Sequence, residues 1–254
     1  MLRPRSLDYL TIAGVDDVRA AWVNPAGLAR VLEASVMAEL VADRLPETRL
    51  AQYTVGLNSR GLSVSFAKDR AIDALPLNLT RLALGLPLGR GSLGGGVTLY
   101  RGSSRDHGID LGLTYRPTGT LDVAATLRHV GRPVVRGVRH PVTGVLGTSW
   151  RILPTAVTLE GEVLADESGR GWLEDVRYRG MFRLSVPRGR ARMELLAGVE
   201  TIGRHLERLV VGFGVGTGGW LGAVGGSARG SGLDRPDRFS VTGVMSHQLA
   251  GRIR

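Results

Sequence analysis

The sequence predicts an all-β fold, an antiparallel up-and-down transmembrane β-barrel of about 12–14 strands with a short N-terminal plug segment. Three observations carry that prediction. Apolar and polar residues alternate with a period of two from about Ala34 almost to the C-terminus. Turn residues break the alternation at short intervals, as strand-to-strand connections require. Glycine accounts for 37 of the 254 residues, about twice the usual share of roughly 7%. That loading disfavours helices, where each interior glycine costs about 1 kcal/mol relative to alanine.

The first thirty residues stand apart, so the chain divides into a plug segment at 1–30 and a barrel at 31–254. Ala13 to Leu28 reads AGVDDVRAAWVNPAGL, a short helical turn starting near Asp16 and Asp17 and stopped by Asn24-Pro25. Strand patterns follow. Leu82, Leu84, Leu86 and Leu88 alternate with Arg81, Ala83, Gly85 and Pro87. Ile109, Leu111, Leu113 and Tyr115 share one face, with Asp110, Gly112, Thr114 and Arg116 on the other. Leu121, Val123, Ala125 and Leu127 oppose Asp122, Ala124, Thr126 and Arg128. Val176, Tyr178, Phe182, Leu184 and Val186 face away from Arg177, Arg179, Met181, Arg183 and Ser185. Met193, Leu195, Ala197 and Val199 oppose Arg192, Glu194, Gly198 and Glu200.

Turns are expected at 58–61, 89–91, 117–119, 187–189 and 217–219. Arg132 to Ile152 is the least regular stretch, holding Pro133 and Pro141, and reads as a long loop or a poorly patterned hairpin. About thirteen segments of roughly 8 to 12 residues result, a length suited to crossing a bilayer. Single-chain bacterial barrels usually close on an even number, hence 12 or 14.

A soluble β-sandwich or propeller also alternates, and is the rival architecture. The meander of short turns over more than 200 residues favours the barrel. So does the pairing of charges on the polar face. Arg81, Asp110, Arg116, Asp122, Arg128, Glu160, Glu162, Arg177, Arg179, Arg183, Arg192 and Glu194 are the candidate lumen-lining residues. Aromatic content is only 5%, a thin supply for interfacial girdles. Tyr53, Tyr100, Tyr115, Tyr178, Trp172 and Trp220 fall near strand ends and are the candidates for one.

The formal net charge is +10 and carried almost wholly by arginine, with Lys68 the single lysine. Nucleic acid is not the expected partner; outer-membrane lipid is, with a hydrophobic small molecule or a partner protein as further candidates. No cysteine is present, which excludes disulfides and thiolate metal sites. His107, His129, His140, His205 and His247 show no metal-ligand spacing, and no metal or other cofactor is expected. Gly214 to Gly219 spells G-x-G-x-x-G, but no helical pattern follows, so a glycine-rich hairpin is the better reading than a dinucleotide site. Ser246 and His247 are adjacent and point to opposite faces of a strand, so as neighbours they form no nucleophile–base pair. No enzymatic constellation emerges, and none is expected. No leader is visible either: Met1 to Tyr9 is basic without a following apolar region. An exported form would need an upstream leader or another start codon.

Asp16-Asp17-Val18-Arg19-Ala20-Ala21-Trp22 followed by Asn24-Pro25-Ala26-Gly27-Leu28-Ala29 resembles the N-terminal signature of the FadL-type barrels, which include long-chain fatty acid transporters and PorV-like outer-membrane proteins. The strand–turn–strand from Asp110 to Pro133, with Tyr115-Arg116-Pro117 at its turn and Gly131-Arg132-Pro133 at its end, is similar to a repeat of the PorV-like proteins. The resemblance implies an outer-membrane barrel of about 14 strands with Trp22, Asn24, Pro25 and Gly27 in the plug, at the ligand. It implies passage or shuttling of hydrophobic or lipid-modified material. A plain turn leading the chain into the barrel is the simpler account of Asn24 to Gly27. The chain departs from the family in being short for a fatty acid transporter and in ending without a terminal aromatic residue. The native chain is therefore expected to continue, or to carry this barrel as one module. A non-transporting anchor or scaffold for a partner or fused domain is the alternative function.

Overall fold

The computed structural model describes residues 9–30, 33–44, 48–70, 75–153, 156–167, 176–188, 191–217, 219–229 and 238–248. Fourteen antiparallel strands close into a barrel. They are β1 (Glu33–Arg44), β2 (Thr48–Ser59), β3 (Leu62–Asp69), β4 (Leu77–Leu88), β5 (Gly91–Gly102), β6 (Asp106–Tyr115), β7 (Leu121–Val130), β10 (Thr143–Leu153), β11 (Val157–Asp166), β12 (Arg177–Arg188), β13 (Ala191–Ile202), β14 (His205–Thr217), β15 (Trp220–Arg229) and β16 (Arg238–Gln248). Two short strands, β8 (Val134–Val135) and β9 (Val138–Arg139), pair as a separate hairpin inside the β7–β10 connection. Each barrel strand pairs with its neighbour in sequence, and β1 closes the ring against β16 from Glu33↔Gln248 to Asp43↔Arg238.

The period-two pattern is what selects this closure. Leu82, Leu84 and Leu86 of β4, Leu111 and Leu113 of β6, and Val199 and Leu195 of β13 are exposed on the outer face. Between them Arg81, Asp110, Thr114, Asp122, Glu162, Arg179 and Glu200 are buried on the inner face. That is the inverse of a soluble sheet protein, and it is stable only where the outer face meets hydrocarbon. Closure also leaves no edge of the barrel sheet unpaired.

The connections differ between the two ends. At one end they are short, as at Arg60-Gly61, where both residues take positive φ (51° and 85°) and form a two-residue hairpin turn. The longest connections, 70–76, 131–142, 167–176 and 230–237, all lie at the other end. The expected turns at 58–61, 89–91 and 117–119 fall where the strands reverse; residues 189 and 218, in the turns expected at 187–189 and 217–219, lie outside the described residues.

Three expectations need correction. Arg132 to Ile152 is neither one loop nor one hairpin: its first part holds the β8–β9 hairpin, and Thr143–Leu153 forms β10, paired with both β7 and β11. Its alternation is blurred because Val145 and Gly147 face inward, against an apolar internal segment, and Thr148 faces outward. Tyr100 is no girdle residue: it shares the inner face of β5 with Ser92 and Thr98 and is buried. Helix α1 is a single turn over Ala20–Val23 that starts after Asp16 and Asp17, because Asp17 to Arg19 accept only i-to-i+3 bonds (Ala20 amide to Asp17 carbonyl, 2.8 Å), and it stops as expected at Asn24-Pro25, where a 3-10 turn runs through Ala29. Tyr115, Tyr178 and Trp220 are exposed on the outside, Tyr53 is half-buried, and Trp172 lies outside the described residues.

Candidate functional site

Residues 9–30 run inside the barrel, and their contacts touch opposite walls. The Thr11 hydroxyl donates to Glu160 (2.6 Å) and the Ile12 amide to Glu162, both on β11. The Tyr9 hydroxyl meets Thr242 of β16 (3.4 Å). The Arg81 and Arg128 guanidiniums, on β4 and β7, donate to the carbonyls of Ala21 and Val23. Leu10, Ile12, Val15, Val18, Trp22 and Leu28 form an apolar core inside a polar lumen, each no more than 2% exposed.

Asn24 is the hinge of this segment. Its Oδ1 accepts from the Ala26 amide (3.2 Å), and its Nδ2 donates to the Ile12 (3.0 Å) and Leu113 (3.3 Å) carbonyls. Pro25 at the first position of the 3-10 turn has no amide to satisfy. Gly27 lies so close to the Val15 carbonyl and the Ala20 methyl that a Cβ would collide with both. Trp22 packs under the Arg81 guanidinium, 5.5 Å from the ring centre. All four residues expected in the plug are thus brought together and buried.

A feature the sequence reading missed receives them. Gly85, Gly94 and Gly112 stand in register across β4, β5 and β6. A Cβ on Gly85 would strike Ala29 and Pro25, one on Gly94 would strike Pro25 and Ala26, and one on Gly112 would strike Asn24. The row of missing side chains is the seat of the Asn24–Ala29 turn, and Ser92 beside it donates to the Ala26 carbonyl (2.7 Å). The available signal was glycine recurring at inward positions of three consecutive strands, since strand glycine marks close backbone approach.

The charged residues form a ladder. Glu162, Arg179, Glu200 and Arg208 lie opposite one another across β11 to β14. Arg179 joins Glu162 (3.1 Å) and Glu200 (3.0 Å), and all three are buried. Arg183 approaches Glu160 (3.4 Å), and Arg177, nearer the long-loop end, pairs with Asp166 (2.7 Å). Arg81 pairs with Asp110 (2.6 Å). Arg192 is exposed at the short-turn mouth and reaches Glu194 (2.7 Å). Arg116 lies just past the end of β6, where the strand stops at Tyr115, and is exposed at the rim with its Nε on the inward-facing Asp122 (2.8 Å).

The segment does not fill the lumen evenly. It presses on β4 to β7 and β11, and leaves space beside β13 to β16. There a vestibule of ≈ 380 Å³ opens at the short-turn end, lined by Asp16, Asp17, Arg183, Arg192 and Glu194. A much narrower slot of ≈ 30 Å³ adjoins it between Leu10, Leu196, Leu221 and the small residues Gly212, Gly214, Ala223 and Gly225, with Ser240 and Thr242 also in its lining. Both spaces share Arg19, Arg183, Glu194 and Leu221. Burial pushes the Asp16 carboxyl above the usual carboxylate range, with Arg30 opposing and the Asp17 charge adding to it. Burial acts on Asp17 too, but the Arg19 guanidinium outweighs it by charge and hydrogen bonds and holds Asp17 low.

At the long-loop end the β8–β9 hairpin folds over the opening. Arg136 donates to Asp69 (3.2 Å) and the Leu75 carbonyl (2.9 Å), the Val134 amide donates to Asp106 (2.6 Å), and Val135 is buried. Among the described residues no cluster of metal-ligating side chains occurs.

No protein-family profile matches the chain, and no curated protein matches it in sequence. Solved structures match in fold. The chain is similar to the CymD monoaromatic hydrocarbon channel, with a TM-score of 0.62 at 11% identity over 93% of this chain and 94% of that one. KdgM porin is a weaker likeness, with a TM-score of 0.46 at 13% identity over 84% and 99% of the two chains.

Proposed function

We propose that the protein is an outer-membrane channel of the FadL/PorV type that passes or shuttles hydrophobic or lipid-modified material, with residues 9–30 as its plug. The observation that supports this reading is the space left on one side of the plug. Its polar vestibule leads into a slot where Leu10, Leu196, Leu221 and small residues meet Arg183 and Glu194, whereas the wall of β11 to β13 carries the buried charge ladder. A purely structural filler has no need of a one-sided gap. The fold likeness to a protein named a monoaromatic hydrocarbon channel supports an apolar cargo. By the usual asymmetry of such barrels, the short-turn end is periplasmic and the long-loop end extracellular. The protein acts without catalysis or cofactor in this reading, and its partners are lipid and cargo.

The test is uptake of a small aromatic hydrocarbon into liposomes carrying the reconstituted protein, compared with a form lacking residues 9–30. Measurable uptake by the intact barrel, increased by removal of the segment, is the expected outcome. A non-transporting anchor is the second reading, favoured by how many hydrogen bonds tie the segment to the walls. Zero flux from the intact barrel and from the shortened one decides for it.

A further inference from the structure

Around the short-turn rim, Asp122 at the start of β7 accepts three guanidiniums: Arg30 (2.8 Å), Arg116 (2.8 Å) and Arg151 (2.9 Å). An open cavity of ≈ 340 Å³ adjoins them, lined by Arg30, Arg90 and Arg116 with Ser92 and Thr114, and Asp122 is the one carboxylate among its lining residues. Three arginines therefore converge on one buried acid, and a fourth, Arg90, lines the cavity beside them. Two guanidiniums about 6 Å apart repel by about 3 kcal/mol at an effective dielectric of 20, so such a cluster favours a second anion. Its donors are suited to one. Arg30 and Arg151 are fixed by bonds to the Ala13 and Gly119 carbonyls, and Arg90 by one to the Pro117 carbonyl. Planar forks held in this way match a tetrahedral oxyanion by paired hydrogen bonds.

The cavity opens on the inner side of the rim, since Ser92, Thr114 and Asp122 face the lumen, and the outer face gives its height. Leu93 and Leu113 are exposed on the outer face close by, and Tyr115, half exposed, stands next to Arg116. Tyrosine at the end of an apolar belt marks the membrane–water interface. We propose that this cavity at the mouth of the barrel binds a phosphate group, held by Arg30, Arg90 and Arg116, whether carried by a lipid headgroup reaching over the rim or by a free anion. The site rests on the closed barrel and does not depend on conduction.

The test titrates detergent-purified protein with a short-chain phosphatidylglycerol, with a diacylglycerol of the same chains, and with inorganic phosphate. Variants Arg90→Ala and Arg116→Ala are compared with Arg204→Ala, which removes one charge from the β13–β14 turn at the other end. The expected result is binding of the phospholipid but not of the diacylglycerol. Each rim substitution should weaken it about fivefold, the effect of about 1 kcal/mol per interfacial arginine, and Arg204→Ala should leave it unchanged. Competition by inorganic phosphate at similar concentration identifies a free anion as a sufficient ligand; absence of competition identifies the headgroup. Equal binding of the two lipids and no response to phosphate overturns the proposal, as does equal loss in all three variants. Heat-modifiable migration of each variant checks that the barrel is formed, and Arg90→Lys, which keeps the charge, should lose less than Arg90→Ala.

Discussion

Asn24 and Gly112 together show how one contact positions the internal segment. Asn24→Ala removes three hydrogen bonds and leaves the Ile12 and Leu113 carbonyls short of a donor, at a cost of about 1–3 kcal/mol for each buried group left unsatisfied. Its expected signature is a lower temperature for the loss of heat-modifiable migration. Gly112→Val acts on the same contact from the wall, since the added carbons occupy the place of the Asn24 side chain. It should unseat the segment and raise single-channel conductance, while Gly119→Val, in open space, should do neither. Asp16 gives a pH dependence of known sign. Its pKa is raised in the folded protein, so its contribution to seating is complete below the ordinary value of 3.8 and fades as pH rises through the raised one. Asp17, held low, contributes with the opposite sign, so the Asp16 part is the difference between the wild type and Asp16→Asn: the substitution should slow protease cleavage within residues 9–30 at neutral pH relative to its effect in acid. Asn24-Pro25 was legible in the sequence as a stop signal because proline and an extended asparagine act locally. The glycine seat was not, because it depends on the register of three strands.

The strands and hairpins divide the work differently. On β11 to β14 the charge ladder was legible, since period-two spacing fixes which face each arginine and glutamate occupies. Its energetics follow from burial. Arg179→Met leaves Glu162 and Glu200 inside without their shared cation and should destabilise the barrel by about 3–5 kcal/mol. Adding Glu162→Gln and Glu200→Gln should recover much of that loss, as read by denaturant unfolding in detergent. Strand β10 was lost to the sequence reading for a reason of the opposite kind: its inward Val145 and Gly147 face an apolar partner from elsewhere in the chain, and Gly147 lies against Ile12. The β8–β9 hairpin is held by single side chains rather than a ladder. Arg136→Ala should speed hydrogen exchange across 131–142 and leave barrel unfolding unchanged.

At the scale of the whole molecule, the apolar exterior and charged interior were both foreseeable, because alternation and turn spacing are properties of the sequence alone. The strand number narrowed to fourteen only with closure, and the one-sided packing of the lumen was not foreseeable, since it follows from where residues 9–30 come to rest. The seam between β1 and β16 has a consequence for biosynthesis. Its partners are about as far apart in sequence as any two strands of the ring, Glu33 opposite Gln248. Every other barrel contact joins strands that leave the ribosome in succession, so local hairpins are available early. The ring itself has to wait for the last strand. Until then the nascent protein is an open ribbon with two adhesive edges and a greasy outer side, the state most exposed to aggregation. A chain cut short before β16 should be degraded rather than inserted, and a circular permutant joined at the seam and reopened at the Arg60-Gly61 turn should still assemble, with a different hairpin left until last.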